Sequence, residues 1–461
     1  MADQAIATAP AADANAASRV PAKQLLAYSL IELPVGGALN MLTLFLGFRY
    51  AESGVALGTV AWIVLAARLL DVAIDPAVGF LSDRTRSRFG RRKIWVVAGA
   101  PIFLLAVWRL FLPPAQVDAA YFALWMITFW LGFSMINIPY YAWGAELSPD
   151  YHERTRVTTS RTLAGSAGFL LALLVAAGSQ HLFGFGGTPS ELLELVARYT
   201  VWLLPLFVVG CALLVPDRGT SAATVPFLRG LGVMARNKPF LRLLAAFTIV
   251  GLGPALQGVM FPFFMKHIVQ ESSSSASSLI VYVPCVMLGV VLWGALARRI
   301  EKHQAWICGM AVMVGATSLY LFVGKGDLAW MLAVLVISGI GSGALTALPA
   351  SMKADVVDLD AIESGEDRAG LFFAAWSLAV KAITALGQFI AFGTLALIGF
   401  QTAGDNGPRE LLGLRIFYSA GPMLLYAVAL SLVWGYPITS ARHVQLRAEL
   451  AERAARISRT H

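Results

Sequence analysis

Apolar runs long enough to cross a lipid bilayer recur along the whole chain. The hydrocarbon core of a bilayer is roughly 30 Å thick, and an α-helix needs about 20 apolar residues to span it. With 58% hydrophobic and only 13% charged residues, the chain has too little polar surface for a water-soluble domain. The sequence therefore predicts an all-α membrane protein.

The apolar runs form two groups of six. The predicted spans are 25–48, 54–82, 94–112, 118–147, 160–182 and 199–215, then 240–265, 278–297, 304–323, 328–354, 370–398 and 410–437. We expect an N-terminal half over 23–215, a central cytoplasmic loop over 216–239 and a C-terminal half over 240–438. Residues 1–22 lack the basic start and long apolar core of a signal peptide, so they are predicted to be a disordered cytosolic tail. Residues 439–461 are predicted to be a second cytosolic tail.

The basic residues are unequally divided between the two sides of the membrane. If loops alternate, 26 of the 35 Lys and Arg residues lie on the side that holds both termini, and six lie on the other. The six are Arg49, Arg198, Lys266, Lys325, Arg409 and Arg415. Cytoplasmic loops accumulate Lys and Arg, so both termini are predicted to be cytoplasmic, in a bacterial-type inner membrane. This topology accounts for the net charge of +8 without a nucleic-acid partner.

Twelve spans in two halves are typical of the major facilitator fold, in which the halves rock about a site near the middle of the membrane. The fold alone does not identify a substrate. The chain has no Walker sequence, so transport driven by ATP is not expected. Its three cysteines and scattered histidines lack the spacing of a metal site or a nucleophile. We therefore expect neither an enzyme nor a cofactor, apart from a coupling ion, H⁺ or Na⁺.

The second span contains three ionisable residues, Arg68, Asp71 and Asp75. Each such residue costs at least about 2.5 to 3.5 kcal/mol at the bilayer centre, so each needs a partner or a water-filled cavity. Spacings of three and four residues place all three on one helical face. Two ionised carboxylates so close repel each other, which favours a bound proton or cation between them. An ion pair that only holds helices together is the alternative.

Several stretches of the sequence carry a more specific resemblance. They are Arg68-x-x-Asp71-x-x-x-Asp75-Pro76-x-x-Gly79, Asp83 to Lys93, Asn137-Ile138-Pro139-Tyr140-Tyr141, Leu147 to Thr155, Ala354 to Asp358, and Lys381. Together they resemble the glycoside-pentoside-hexuronide:cation symporter family, the melibiose-permease group. The resemblance implies that Asp71, Asp75 and Ser134 form the cation site.

The same resemblance implies a substrate site of Asn137, Tyr141, Arg161 and Lys381, and it places Lys381 beside the cation site. The sugar permeases of the family carry an aspartate in the first span where this sequence has Gly36, and another where it has Asn137. Asn137 still donates and accepts hydrogen bonds, and Tyr141 can stack on a sugar ring. Ordinary helix packing is the alternative for both residues.

Charged residues near the side of the termini are predicted to gate the pathway. They are Asp83, Arg84 and Arg91 after the second span, Glu146 at the end of the fourth, and Asp355 and Asp358 at the end of the tenth, with Arg68 assigned to the same set. Arginine forks pair with carboxylates and can hold this face closed in an outward-open state. The alternatives are a cluster that only sets topology and a solvated charge run.

The predicted function is a cation-coupled secondary symporter that imports a sugar, glycoside or sugar acid. The first alternative is a carrier of lysophospholipids or other amphiphiles, because Arg161 and Lys381 suit an anionic head group. The second is a membrane sensor or scaffold that transports nothing. The expected partners are a small-molecule substrate and membrane lipid, without nucleic acid or an obligate protein partner.

Overall fold

The part of the chain that the structure describes forms twelve long helices. A computed structural model describes residues 19–148, 150–217, 237–364 and 369–437, and every regular element in these ranges is helical. We number the spanning helices α1 (Ala22–Glu52), α2 (Leu57–Arg84), α3 (Lys93–Phe111), α4 (Ala119–Glu146), α5 (Tyr151–Phe183), α6 (Pro189–Leu214), α7 (Lys238–Val269), α8 (Ser272–Leu296), α9 (Lys302–Phe322), α10 (Leu328–Ser364), α11 (Ala369–Leu397) and α12 (Pro408–Val433). All twelve are long and apolar enough to cross a membrane, which confirms the predicted fold class.

Helices α5 and α6 begin well before the predicted boundaries. The Asp150 side chain accepts a hydrogen bond from the backbone of Glu153 and so caps α5. Thr188 and Glu191 form a reciprocal capping box at the start of α6. Both first turns are polar, so a search for apolar runs does not detect them.

Parts of the predicted layout lie outside the described residues. These parts are nearly all of the 1–22 tail, most of the 216–239 loop and the whole 439–461 tail. The side chain of Asp358 also lies outside them.

The helices pack as two bundles, α1–α6 and α7–α12, which we call the N-terminal and C-terminal halves. The halves meet mainly where α2 packs against α11, α5 against α8, and α1 against α7. Successive helices run in opposite directions, so α1 begins and α12 ends at the same end of the bundle. We call this end the terminal face and the other end the opposite face.

The two halves are joined by direct contacts at the opposite face. The rings of Phe48 in α1 and Phe263 in α7 pack edge to face, with centroids 4.9 Å apart. Gln388 of α11 donates a 3.1 Å hydrogen bond to a backbone carbonyl of α1. Lys266 Nζ of α7 lies 2.7 Å from Glu52 Oε1 at the end of α1. The bundle is therefore closed at this face.

The hydrophobic cores also show that the halves are in closer contact at the opposite face than at the terminal face. One hydrophobic cluster includes residues of both halves, and its C-terminal-half members lie toward the opposite face. The terminal-face part of the C-terminal half has a core of its own, which contains Phe240, Trp306 and Phe372. The halves thus share a core at the opposite face, whereas the C-terminal half has a separate core near the terminal face.

The first helix of each half contains a widened, π-helical turn. Helix α1 contains a π-helical segment, Leu42–Leu46, and α7 ends in another, Met265–Val269. These helices are the first of their halves, and both π segments lie toward the opposite face. Glu52 follows the first segment by two turns at most, and Lys266 lies within the second.

Candidate functional site

Three polar residues of the N-terminal half meet midway along α2 and α4. Asp71 and Asp75 lie on α2, and Ser134 lies on the adjacent α4. Ser134 Oγ is 3.0 Å from Asp71 Oδ1 and 2.7 Å from Asp75 Oδ1. Asp71 is only 1% exposed, and Asp75 is 20% exposed. The structure thus brings together the three residues assigned to a cation site.

Lys381 of α11 completes this cluster from the C-terminal half. Its Nζ atom lies 2.8 Å from Asp71 Oδ2 and also contacts Asp75 Oδ2. The resemblance assigned Lys381 to the substrate site and also placed it beside the cation site, and here it is bonded to the carboxylates of that cation site. The reason is that α11 packs directly on α2.

Arg68 also belongs to this cluster. Its Nη1 atom lies 3.6 Å from Asp71 Oδ2, and its guanidinium lies 3.7 Å from the ring centroid of Trp130, a cation–π arrangement. The structure thus places Arg68 at mid-span, one turn from Asp71, and not with the gate residues to which it was assigned. The gate residues lie at the terminal face, several turns further along α2.

The charges of the cluster balance. Arg68 and Lys381 supply two positive charges, and Asp71 and Asp75 supply two negative charges. Charges in a low-dielectric interior are stable only when they are paired in this way. An added cation would leave the site with excess positive charge unless Lys381 moved away.

Ser134 leaves room for one more proton. A serine hydroxyl has a single hydrogen to donate and lone pairs that accept, yet Ser134 Oγ lies within hydrogen-bond distance of two carboxylates. The single hydrogen is either shared between the two carboxylates or donated to one of them while the other carboxyl group is protonated. The oxygens beside Ser134 can therefore take up a proton when Lys381 moves away.

A second polar group lies in the N-terminal half, between α1, α4 and α5. Tyr141 donates a 3.1 Å hydrogen bond to Glu32 Oε1. The Arg161 guanidinium lies 3.5 Å from the ring centroid of Tyr141. Asn137 is buried one turn before Tyr141 on α4. The structure therefore groups Asn137, Tyr141 and Arg161, apart from Lys381.

Glu32 is not among the site residues predicted from the sequence. The resemblance directed attention to Gly36, one turn further along α1, where the family has an aspartate. A side chain at Gly36 would collide with α5, because its Cβ would lie 2.9 Å from the Cα of Gly165. The carboxylate of this chain instead lies one turn earlier, at Glu32. Its presence in an apolar span was a sufficient signal.

Three of the predicted gate residues of the N-terminal half, Asp83, Arg91 and Glu146, form an ion-pair network with Arg92 at the terminal face. Arg91 Nη2 lies 2.7 Å from Glu146 Oε1, and Arg92 Nη2 lies 3.0 Å from the same atom. Arg92 also pairs with Asp83 at 2.5 Å. Arg84 lies over the ring of Phe80. These pairs tie the loop after α2 to the end of α4.

In the C-terminal half, Asp355 pairs with Lys302 at 2.7 Å. This contact joins α10 to α9, so the pair lies within one half. The side chain of Asp358 lies outside the described residues. A gate that closes across the two halves at the terminal face stays a prediction.

A cavity of about 260 Å³ lies where the halves meet, next to α1, α5 and α7. Its polar lining includes Asn40, Gln257 and Tyr282, and its apolar lining includes Phe169, Phe261 and Leu335. The space is therefore bounded by both halves and is mainly apolar.

Comparison with known proteins identifies the family. Residues 27–440 match the family model described as MFS/sugar transport protein. An uncharacterized symporter of Synechocystis is 25% identical and aligns over 90% of this chain and 94% of its own. The glucuronide carrier protein homolog of Escherichia coli is 23% identical over 94% of this chain and 96% of its own. The sodium-dependent lysophosphatidylcholine symporter 1-B of Danio rerio is 25% identical over 85% of this chain and 82% of its own.

Solved structures agree on the fold. A bacterial homolog of the human lysosomal transporter Spinster, in an inward-facing and unoccupied conformation, superposes with a TM-score of 0.64. The superposition covers 92% of this chain and 97% of that one, at 14% identity. The predicted resemblance is thereby confirmed: the chain belongs to the MFS/sugar transport protein family and is a multi-pass transporter of the inner membrane, not an enzyme.

Proposed function

We propose that this chain is a cation-coupled symporter that imports a sugar, glycoside or sugar acid. The observation that carries the proposal is the bond between Lys381 and the two aspartates. It links the C-terminal half to the N-terminal half through charges that a coupling cation would change. The relative position of the halves then depends on what is bound at Asp71 and Asp75.

In the proposed mechanism, the coupling cation competes with Lys381. When H⁺ or Na⁺ neutralises part of the carboxylate charge, the attraction on the Lys381 ammonium weakens. Helix α11 is then free to separate from α2, which allows the halves to rock about the site. Cation binding and the conformation of the halves are coupled because each changes the free energy of the other.

We propose H⁺ as the coupling ion. A sodium ion needs several oxygen ligands, and Ile74, beside Asp75, supplies none. A proton needs only one carboxyl oxygen, and the Ser134 hydroxyl is positioned to accept the hydrogen bond of a protonated aspartate. The Danio rerio relative is named a sodium-dependent symporter. The experiment must therefore also be able to detect coupling to Na⁺.

We propose that the substrate binds beside Glu32, Asn137, Tyr141 and Arg161. The carboxylate and amide bind sugar hydroxyls, the tyrosine ring packs against a sugar face, and the guanidinium pairs with the carboxylate of a sugar acid. The Escherichia coli glucuronide carrier homolog supports this substrate class. We further propose that the terminal face is cytoplasmic, so the closure at the opposite face corresponds to an inward-open state.

A lysophospholipid or similar amphiphile is the second candidate substrate. It is favoured by the mainly apolar cavity between the halves, which could hold an acyl chain, and by the lysophosphatidylcholine symporter among the relatives. Arg161 would then bind the anionic head group.

Ligand stabilisation of the purified protein separates these candidates. A ligand that binds only the folded state raises the melting temperature by mass action. The panel contains a glucuronide, a pentose-containing disaccharide and lysophosphatidylcholine, each with and without Na⁺ and at two pH values. We expect a sugar or sugar acid to stabilise the protein and then to accumulate in proteoliposomes. Stabilisation by lysophosphatidylcholine alone would overturn the sugar proposal.

A further inference from the structure

A second cavity lies at the opposite face, away from the transport site. It has a volume of about 430 Å³ and is bounded by the end of α7, the loop between α9 and α10, and the start of α12. Three of its lining residues are basic, His267, Lys325 and Arg415, and three are aliphatic, Ile268, Leu411 and Leu412. None of these six contributes to the transport site described above.

The basic residues of this cavity lack anionic partners. Lys325 and Arg415 have no carboxylate within ion-pair distance in the part of the chain that the structure describes. Lys266, by contrast, lies beside His267 in sequence and is neutralised by Glu52 at 2.7 Å. The opposite face has few Lys and Arg residues, so the convergence of Lys325 and Arg415 on one cavity is not explained by topology.

Two buried nitrogen atoms at the cavity also lack hydrogen-bond partners. They are Arg415 Nε and His267 Nε2. A buried polar group without a partner costs about 1 to 3 kcal/mol, so each such group calls for a ligand or water. Helix α12 begins at Pro408, which also lines the cavity, so the positive end of its dipole adds to the attraction for an anion.

We propose that this cavity binds the phosphate group of an anionic phospholipid. The unpaired guanidinium and ammonium suit phosphate oxygens, which accept several charge-assisted hydrogen bonds. The cavity lies where α7 ends and α12 begins, at the level expected for lipid headgroups. Leu412 is 55% exposed, and together with Leu411 and Ile268 it offers an apolar surface to the adjoining acyl chain. A free inorganic anion would not need that apolar surface.

The test compares lipids bound to the full-length protein in detergent. Native mass spectrometry measures the occupancy of phosphatidylglycerol and of phosphatidylcholine, and thermal unfolding is followed with each lipid and with inorganic phosphate. We expect phosphatidylglycerol to bind and stabilise preferentially. Arg415→Gln should weaken its binding by about tenfold, the loss expected for a charged hydrogen bond.

Two further variants make the result specific. Arg409→Gln removes an exposed charge from the same end of α12 but outside the cavity lining, so it should bind the lipid normally. Lys325 lies in an exposed loop and also lines the cavity. Lipid binding by Lys325→Gln therefore tests the cavity if Arg415→Gln does not fold. Equal binding of the two lipids, or equal losses in Arg415→Gln and Arg409→Gln, would overturn the proposal. Stabilisation by inorganic phosphate that matches phosphatidylglycerol would overturn the lipid assignment and leave a free-phosphate site.

Discussion

Lys381 Nζ lies 2.8 Å from Asp71 Oδ2, so an ammonium of the C-terminal half is bonded to a carboxylate that is only 1% exposed in the N-terminal half. This ion pair also connects the N-terminal half to the C-terminal half. Its strength depends on the protonation or cation occupancy of the aspartates.

Lys381→Ala should abolish substrate accumulation while the protein still folds. Without this ammonium, only Arg68 balances Asp71 and Asp75, so the site is more negative and the apparent cation affinity should rise by about tenfold or more. Accumulation and cation titrations in proteoliposomes measure both effects. Lys353→Ala is the matched control, because Lys353 is a buried lysine of the same half that lies over an aromatic ring outside the cluster. Normal accumulation by Lys381→Ala would return this residue to a packing role.

Asp75→Asn should abolish uphill accumulation and leave substrate exchange partly intact. A neutral amide imitates the protonated carboxyl group, so the carrier stays competent for substrate but no longer responds to the ion gradient. Exchange of labelled for unlabelled substrate and net accumulation are measured at fixed pH, with and without Na⁺ and with the proton gradient collapsed. Asp405→Asn, in an exposed loop, serves as the control. Accumulation by the native protein that needs Na⁺ and survives the collapse would contradict proton coupling.

Glu32→Gln should weaken substrate binding without changing the cation dependence. The change removes the charge that accepts the hydrogen bond from Tyr141. Hydrogen bonds to charged groups contribute about 1.5 to 3 kcal/mol, so we expect KM to rise by about tenfold or more. Glu194→Gln, in an exposed ion pair of α6, is the control. An unchanged KM would show that the Glu32 group is structural.

Lys266→Gln should shift the protein toward a state that is open at the opposite face. Lys266 and Glu52 are each about 30% exposed, and an ion pair of this kind contributes at most about 1 kcal/mol, or about fivefold in population. Spin labels on Phe183 and Leu397, exposed ends of α5 and α11 in different halves, report the separation at that face. Arg198→Gln breaks an ion pair within α6 alone and should leave the distances unchanged. Unaltered distances in Lys266→Gln would show that this pair does not control the closure.

Topology can be tested with reporter fusions. A reporter after His461 and one inserted between Arg218 and Arg229 should both be cytoplasmic, as the distribution of Lys and Arg predicts. Both positions lie outside the described residues, so the result is independent of the packing described above. Periplasmic signals at both positions would reverse the proposed inward-open assignment, and a periplasmic signal at only one would contradict the two-half architecture.

Much of the architecture was predictable because its signals are local. Apolar length gives the number of spans, and the spacing of Arg68, Asp71 and Asp75 gives their common face. Helix starts such as Thr188 were missed because a polar first turn has no apolar signature. Arg109 was not assigned to a side, although its position in the last turn of α3 places it near the opposite face.

The candidate site was less predictable because its contacts are distant in sequence. Lys381 and Asp71 are separated by 310 positions, and no hydrophobic periodicity in the sequence indicates that α11 and α2 are in contact. Glu32 was missed because an aspartate was sought at Gly36, and only the close approach of α1 and α5 shows why no side chain fits there. The resemblance supplied Ser134, which local reasoning would not have found.

The π segment of α1 also sets which way the end of that helix faces. A π turn accommodates one residue more than an α-helical turn, and each residue of an α-helix turns the chain by about 100°. If the same residues of Leu42–Leu46 were wound as a regular α-helix, Gly47–Glu52 would be rotated by roughly that angle. Phe48 and Glu52 would then turn away from Phe263 and Lys266 without any change in their own chemistry. The closure of the opposite face therefore depends on the π-helical winding of α1 as well as on the identities of its residues.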